Sequence, residues 1–178
     1  MKLSTIALTI MLGLSSSTMA QQKDITIKLI ETSDVHGSFF PYDFISRKPR
    51  SGSMARVCTL VEKLRRENGK ENVYLLDNGD ILQGQPISYY YNYVTPEKTN
   101  IAASVLNYMG YDAATVGNHD IETGHAVYDK WFKELDFPIL GANIISTATG
   151  KSYLLPYYTI KKGNGIKVCV IGMLTPAI

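Results

Sequence analysis

Residues 113–120 read Ala-Ala-Thr-Val-Gly-Asn-His-Asp, an apolar run that ends in side chains able to bind a metal ion. The same change occurs twice earlier: residues 25–32 lead into Asp-Val-His at 34–36, and residues 73–76 lead into Asp-Asn-Gly-Asp at 77–80. Short apolar runs bounded by Gly, Asn and Asp are typical of strands. We therefore predict three strands, each followed by a polar loop.

The rest of the chain alternates between helical and strand-like patterns. Apolar residues recur at helical spacing over residues 52–68, 100–109 and 124–135, and each of these helices lies close to a predicted strand. A short strand is predicted over residues 138–140, and two more over residues 153–160 and 166–171 on either side of a Gly-Asn-Gly turn. This alternation predicts an α/β layered architecture with a parallel sheet.

The three polar loops are expected to meet in space. In a parallel sheet, the carboxyl ends of all strands lie at one edge, and ligands bind in the crevice outside that edge. The loops contribute carboxylate, imidazole and amide groups, which are ligands for hard and borderline divalent metals. The sequence therefore predicts a metal site at this edge.

Each candidate ligand has a distinct role in that prediction. Asp34 and His36 are two residues apart, so in an extended segment they would point to the same side and hold one ion. The carboxylate of Asp80 could bridge two ions about 3.5 to 4 Å apart, and Asn118 could supply a neutral amide oxygen. Taken singly, each residue could be an ordinary turn or cap residue, but their occurrence at three strand ends favours the metal site.

His119 is the candidate for acid chemistry beside the metals. An imidazole next to a metal-held phosphate can stabilise developing charge or protonate the leaving oxygen. Either Asp120 or Glu122 could orient the ring through its other nitrogen, and the sequence leaves both alternatives open.

Charge and composition argue against a nucleic-acid-binding protein. The net charge of the chain is +2, and the basic run at residues 47–50 is short and interrupted by a proline. Phosphate-backbone binding normally requires a concentrated basic patch. Clustered tyrosines at residues 89–93 could stack on bases, but without neighbouring basic residues we predict that they pack against helices.

The first 20 residues have the pattern of a secretory signal peptide. Lys2 precedes an apolar run at residues 3–14, and a Ser-rich segment follows up to Ala20, after which cleavage is expected. The apolar run is shorter than the roughly 20 residues that span a bilayer. There is no cysteine near Ala20 that could carry a lipid anchor. We expect a periplasmic or secreted protein without a membrane anchor.

Two cysteines, Cys58 and Cys169, could pair in an oxidising compartment. Cys58 lies in a predicted helix and Cys169 in a predicted strand, and a free cysteine is often a small buried apolar residue. We therefore predict two unpaired core cysteines.

The polar loops resemble the first three signatures of the calcineurin-like metallophosphoesterases. The matching segments are Asp-Val-His-Gly at 34–37, Gly-Asp with a following Gln-Gly at 79–84, and Gly-Asn-His-Asp at 117–120. Within that superfamily, the chain is most similar to the secreted 5'-nucleotidases, whose relatives also open 2',3'-cyclic nucleotides. The likeness extends through residues 141–143 and 170–172 and so covers nearly all of residues 21–178.

The resemblance implies a layered metallophosphoesterase sandwich and a two-metal hydrolase. Asp34 and His36 would hold the first divalent ion, Asp80 would bridge, and Asn118 would hold the second. The ions could be zinc, manganese, iron or magnesium. A bridging hydroxide would attack phosphorus while His119 stabilises the transition state.

The resemblance also assigns the substrate contacts and the partner of His119. Asn118 and His119 would contact the substrate, a nucleotide or another small phosphate ester. The position three residues after His119 carries Glu122, where the nucleotidases usually have aspartate, and this residue would pair with the histidine.

The resemblance further implies that residues 21–178 are the N-terminal portion of a metallophosphoesterase domain. The family completes its metal shell with downstream histidines, whereas this chain has only His36, His119 and His125, and His125 is interpreted as a surface or capping residue. The C-terminal nucleotide-binding domain is also expected to be absent. Two alternatives remain: the same site acting on a nucleotide sugar or a sulfur ester, or a non-catalytic fragment.

Overall fold

The computed structural model describes residues 24–175, so the predicted signal peptide lies outside the described residues. Strands and helices alternate along this part of the chain. In chain order they are β1 (Lys28–Thr32), β2 (Tyr42–Asp43), β3 (Lys48–Pro49), α1 (Met54–Asn68), β4 (Val73–Asp77), α2 (Pro86–Tyr89), α3 (Ile101–Met109), β5 (Ala113–Thr115), α4 (Asn118–Ile121), α5 (His125–Glu134), β6 (Ile139–Leu140), β7 (Tyr157–Lys161) and β8 (Lys167–Ile171).

The central sheet is parallel and has the strand order β1-β4-β5-β6. This arrangement confirms the predicted α/β class. Because all four strands run the same way, the loops that follow β1, β4 and β5 leave from one edge of the sheet. Two antiparallel pairs, β2 with β3 and β7 with β8, complete the described strands.

The sheet is covered on both faces. Leu75 of β4 belongs to the core cluster formed with α1, α3 and α5, in which Leu106 and Trp131 are fully buried. The neighbouring residue Tyr74 points to the opposite face, where it packs in a second cluster with Ile160 of β7. Successive strand residues face opposite sides, so a strand covered on both faces reads as a continuous apolar run, as β4 does.

Caps explain why the helices begin and end close to their predicted bounds. The Ser53 side chain accepts a hydrogen bond from the Arg56 N–H at 3.3 Å and begins α1. The Asn100 side chain accepts from the Ala102 N–H at 2.9 Å and begins α3. Gly110 ends α3 in a left-handed conformation with φ 66°, which glycine adopts without steric cost.

The cysteines are free, as predicted, but only Cys58 lies near the core. Cys58 is half-buried in α1, whereas Cys169 is exposed on β8. The core prediction for Cys169 is wrong because side chains alternate along β8: Val168 and Val170 pack against the sheet, and the residue between them faces outward.

The tyrosine-rich segment does not pack as predicted. Tyr89, Tyr90 and Tyr93 are 63%, 43% and 47% exposed, and the chain here passes from α2 into a π-helical turn, Tyr90–Val94. The segment is instead fastened by buried Asn92, whose amide nitrogen donates to the Leu82 carbonyl at 2.8 Å. The tyrosine rings are thereby left facing outward.

In the part of the chain that the structure describes, no helix combines the length and apolar character needed to cross a membrane.

Candidate metal centre

The loops after β1 and β4 bring three potential ligands together. One ligand atom each from Asp34, His36 and Asp80 lies within 4.8 Å of the others. His36 Nε2 is 3.9 Å from Asp34 Oδ1. These distances fit donors arranged around one cation better than a directly hydrogen-bonded network.

All three residues adopt left-handed backbone conformations. The φ angles are 54° at Asp34, 49° at His36 and 59° at Asp80, so residues 34–36 are not the extended segment in which alternation would place both side chains on one side. The cause is hydrogen bonding between the two loops: the Asp34 N–H donates to the Gly79 carbonyl at 3.1 Å, and the His36 N–H donates to the Asp80 carbonyl at 2.8 Å. The side chains converge through this pairing.

His36 is oriented by its second ring nitrogen. Nδ1 lies 3.3 Å from the Gln83 carbonyl oxygen, which can only accept a hydrogen bond, so Nδ1 carries the proton. Nε2, the nitrogen left for a metal ion, faces Asp34. A metal-binding histidine is commonly held in this way.

Asp120 positions the loop that carries Asp80. Its carboxylate is fully buried and accepts four backbone N–H hydrogen bonds at 2.7 to 3.0 Å, from Asp80, Ile81, Leu82 and Gly117. Burial raises the pKa of Asp120, and these donors oppose that rise because they stabilise the charged form. Since both carboxylate oxygens are used, Asp120 does not orient His119.

Glu122 is the residue that pairs with His119. Its Oε2 lies 2.8 Å from His119 Nδ1, and both side chains are about 40% exposed. The hydrogen bond raises the pKa of His119 and lowers the pKa of Glu122, since it favours the charged form of each. The His119 ring lies edge-on to His36 with centroids 5.4 Å apart, so the pair borders the ligand cluster.

Asn118 is the first residue of α4. The next residue, His119, donates its backbone N–H to Asp80 Oδ1 at 2.9 Å, which ties the start of α4 to the ligand cluster. A side-chain hydrogen bond from Asn118 also contributes to the lowered pKa of Glu122. The structure therefore brings Asn118, Asp80 and Glu122 to the same edge of the sheet.

Two glycines permit the close approach of the loops. A Cβ on Gly117 would lie 2.0 Å from Asp80 Oδ1, and a Cβ on Gly79 would lie 2.2 Å from the Gly117 nitrogen. Neither distance is physically possible, so a larger residue at Gly117 would displace Asp80, and one at Gly79 would push the backbone of Gly117 away.

His125 lies outside the cluster. It begins α5, its side chain is 71% exposed, and its Nδ1 lies 3.1 Å from Asp129. The interpretation of His125 as a surface residue is confirmed.

The donor set fits a divalent cation. Two carboxylates and one imidazole are compatible with several hard and borderline divalent metals. A parallel sheet with this donor set at its carboxyl edge defines the molecule as an α/β protein with a candidate divalent-metal centre.

Comparison with known proteins identifies the family. The model of the calcineurin-like phosphoesterase family matches residues 27–175. The chain therefore belongs to the calcineurin-like phosphoesterase family, whose members use divalent metals.

The individual relatives are nucleotide phosphoesterases. The trifunctional nucleotide phosphoesterase YfkN of Bacillus subtilis is 34% identical over 169 residues, which cover 86% of this chain and 11% of that protein. A 2',3'-cyclic-nucleotide 2'-phosphodiesterase/3'-nucleotidase of Haemophilus influenzae is 30% identical, with 97% of this chain and 28% of that enzyme covered. The chain thus spans less than a third of the curated relatives it matches.

Solved structures give the same fold. The crystal structure of YfkN has a TM-score of 0.72 at 33% identity, covering 85% of this chain and 49% of that one. A 5'-nucleotidase precursor from Thermus thermophilus has a TM-score of 0.68 at 26% identity, covering 85% of this chain and 29% of that one.

Proposed function

We propose that the chain carries the metal-binding and catalytic residues of a phosphoesterase that hydrolyses nucleoside 5'-monophosphates or 2',3'-cyclic nucleotides. The observation that carries the proposal is the convergence of Asp34, His36 and Asp80, with the His119–Glu122 pair at its border. Family membership supports hydrolysis of phosphate esters, and the names of the relatives supply the nucleotides.

The ligands divide between two divalent ions, which could be zinc, manganese, iron or magnesium. Asp34 and His36 would hold one ion, Asp80 would be shared between both, and Asn118 would contribute to the second. When bound, such ions would supply a hydroxide nucleophile at neutral pH and would neutralise charge on the phosphoryl group. Asp120 contributes by fixing the backbone of Asp80, which keeps the shared carboxylate aimed into the cluster.

His119 contributes a proton at Nε2. Because Nδ1 is held by Glu122 at 2.8 Å, Nε2 is the nitrogen available to the substrate, together with the Asn118 amide. The raised pKa of His119 increases the fraction of imidazolium at neutral pH. The ring can therefore donate a hydrogen bond to the phosphoryl group or protonate the leaving oxygen.

The decisive variant is Asp80→Asn. Removing the shared carboxylate charge should abolish metal-dependent hydrolysis of nucleoside monophosphates. Release of inorganic phosphate with and without added manganese or zinc measures this. Asp136→Asn is the matched control, because Asp136 is exposed and precedes β6 at the opposite edge of the sheet. Equal metal-dependent turnover in the Asp80→Asn variant and the control would refute the proposal.

One observation favours a non-catalytic alternative. Among residues 24–175, one group of three acidic, histidine or cysteine side chains is close enough to hold an ion: Asp34, His36 and Asp80. A single catalytic zinc usually has three protein ligands. These three side chains are therefore few for two ions. Elemental analysis of the purified protein distinguishes the cases: two tightly bound equivalents support the two-metal site, and none supports the non-catalytic module. A panel with nucleotide sugars and sulfur esters tests the remaining substrates.

We also propose that residues 21–178 are the N-terminal portion of a larger metallophosphoesterase domain. Support comes from solvent-exposed apolar side chains on the β7–β8 hairpin, where Tyr157 is 60% exposed and Ile171 66% exposed. The small share of each relative that the chain covers is consistent with this. The C-terminal nucleotide-binding domain expected from the resemblance would belong to the same longer protein.

We propose that residues 1–20 direct export and that the protein is periplasmic or secreted. The sequence pattern of charge, apolar run and small residues supports this. Mass spectrometry of the protein from the extracytoplasmic fraction should find an N-terminus at residue 21, and an intact Met1 there would contradict the proposal.

A further inference from the structure

Asp77 is a buried acidic residue that belongs neither to the ligand cluster nor to the His119–Glu122 pair. It is the last residue of β4, and it is only 3% exposed. Burial raises the pKa of Asp77 to about 7, and two acidic side chains, Asp120 and Glu31, raise it further. Burying a carboxyl group near other acidic groups costs free energy of folding, so stability alone is a poor explanation for this residue.

A chain of buried hydrogen bonds joins Asp77 to β1. Thr32, the last residue of β1, lies opposite Asp77 in the parallel register and donates its hydroxyl hydrogen to Asp77 Oδ1 at 2.6 Å. The Tyr111 hydroxyl lies 2.8 Å from Thr32 Oγ1. Because the hydroxyl hydrogen of Thr32 is already used, Tyr111 is the donor in this second bond. Thr32 and Tyr111 are 8% and 5% exposed, so water does not compete for these bonds.

The same carboxylate also reaches the backbone of both ligand loops. Asp77 Oδ2 accepts from the Gly79 N–H at 3.3 Å, and the Gly79 carbonyl accepts from the Asp34 N–H at 3.1 Å. The two oxygens of Asp77 therefore fasten the ends of β1 and β4 together at the point where the loops that carry Asp34 and Asp80 begin.

We propose that Asp77 is a positioning residue of the metal centre: its two hydrogen bonds set how far apart Asp34 and Asp80 lie. The inference rests on the proposed function, because it takes those two residues to be metal ligands. Groups that orient the ligands of a metal contribute to its affinity without touching it. Asp77 acts from β4 toward β1, whereas Asp120 holds the loop after β4 from α4.

The manganese affinity of two variants of Asp77 tests the inference. Asp77→Leu has a similar shape but removes both hydrogen bonds, so manganese should bind about 10- to 100-fold more weakly, the usual effect of losing a group that orients the ligands. In Asp77→Asn, the amide oxygen can accept from Gly79 and the amide nitrogen can donate to Thr32, whose hydroxyl then donates to Tyr111. Asp77→Asn should therefore retain most of the affinity. Electron paramagnetic resonance of free manganese measures the binding, and circular dichroism checks the folding.

Thr32→Val and Thr115→Val form a matched pair of variants. Each threonine ends a strand of the central sheet and is 8% exposed, but the Thr115 hydroxyl donates to the Leu140 carbonyl of β6 at 3.0 Å. Thr32→Val should weaken manganese binding about 2- to 10-fold relative to Thr115→Val, the equivalent of one hydrogen bond.

Two results would overturn the inference. One is equal manganese affinity in Asp77→Leu, Thr32→Val and Thr115→Val. The other is an Asp77→Asn variant that binds manganese as weakly as Asp77→Leu, since the charge and not the hydrogen bonds would then matter. If Asp77→Leu does not fold, the comparison of the two threonine variants decides.

Amide hydrogen exchange, measured by NMR, separates this inference from the proposed function because it requires no metal. In Thr32→Val and Asp77→Leu, the Asp34 N–H should exchange about 2- to 10-fold faster than in Thr115→Val, because the loop that holds its acceptor is no longer fastened. An unchanged protein that binds no manganese would refute the proposed function, and the exchange rate would still decide whether Asp77 holds the loops. Manganese binding by the unchanged protein, with exchange in these variants equal to the control, would refute the inference alone.

Discussion

At the scale of single residues, Glu122 offers a sharp test because it makes one dominant contact with His119. Glu122→Gln removes the carboxylate that raises the pKa of His119. Turnover of nucleoside monophosphates should fall about 10- to 100-fold, with KM little changed. The ring should also lose its proton at lower pH. If the protonated ring acts, the alkaline limb of the pH–rate profile should therefore shift to lower pH.

The control for this experiment is a second histidine–carboxylate pair outside the metal centre. His125 and Asp129 lie 3.1 Å apart on α5, so Asp129→Asn removes a comparable interaction without touching the site. Glu122→Asp retains the charge and should restore part of the turnover. A pH–rate profile identical in Glu122→Gln and Asp129→Asn would remove Glu122 from the mechanism.

Sequence reasoning located the candidate residues but not their conformations. Asp34, His36 and Asp80 were found because polar side chains follow strand ends, a pattern visible in the sequence. Their left-handed backbones arise from hydrogen bonds between loops separated by more than 40 residues, which no local pattern encodes. The choice between Asp120 and Glu122 depended in the same way on a buried hydrogen-bond network.

At the scale of secondary-structure elements, Asp120 joins the loop after β4 to the start of α4. Asp120→Asn replaces one acceptor oxygen by an amide group that donates, so buried N–H groups of the β4 loop lose their partner. We expect the free energy of unfolding to fall by about 2 to 4 kcal/mol. Affinity for manganese should also fall, since Asp80 is no longer fixed.

Urea unfolding and manganese titration measure the two effects, with Asp136→Asn as the control for the loss of one surface charge. Unchanged stability in Asp120→Asn would show that the four N–H contacts of this carboxylate contribute nothing net. Unchanged manganese affinity would show that Asp80 does not depend on them.

The longer elements and the short strands β5 and β6 were predictable, whereas β2, β3 and the π-helical turn were not. Helix α1 was expected over residues 52–68 and observed as Met54–Asn68, because periodic apolar residues and a capping serine mark it locally. Strands of two residues, such as Tyr42–Asp43, carry no measurable periodicity. The π-helical turn Tyr90–Val94 depends on the buried Asn92 contacts rather than on the tyrosines.

At the scale of the whole molecule, the solvent-exposed apolar face of the β7–β8 hairpin predicts that copies of the chain associate with one another. Ile171 and Met173 are each 66% exposed, and contiguous apolar surface of this kind usually marks a contact site. Ile171→Lys combined with Met173→Lys should shift the protein toward monomer in sedimentation velocity without lowering the melting temperature. A protein that is monomeric before substitution would contradict this prediction.

The layered architecture was predictable because strand and helix patterns alternate, and the parallel sheet confirms it. The placement of β7 and β8 was not, since a hairpin signal says nothing about which face of the sheet the hairpin covers. That face is set by Tyr74 and Leu140, which pack with Ile160 across the layers.

The left-handed backbone conformations at positions 34, 36 and 80 lower the stability of the fold at the positions proposed to bind a cation. Each non-glycine residue in this conformation carries a steric penalty of about 1 to 2 kcal/mol, which glycine would relieve while removing the ligand. A library of random substitutions at these positions that is selected only for stability should therefore be enriched in glycine, and the selected variants should have lost the proposed ligands. If these side chains hold the proposed ions, cation binding is retained at a cost in the free energy of folding.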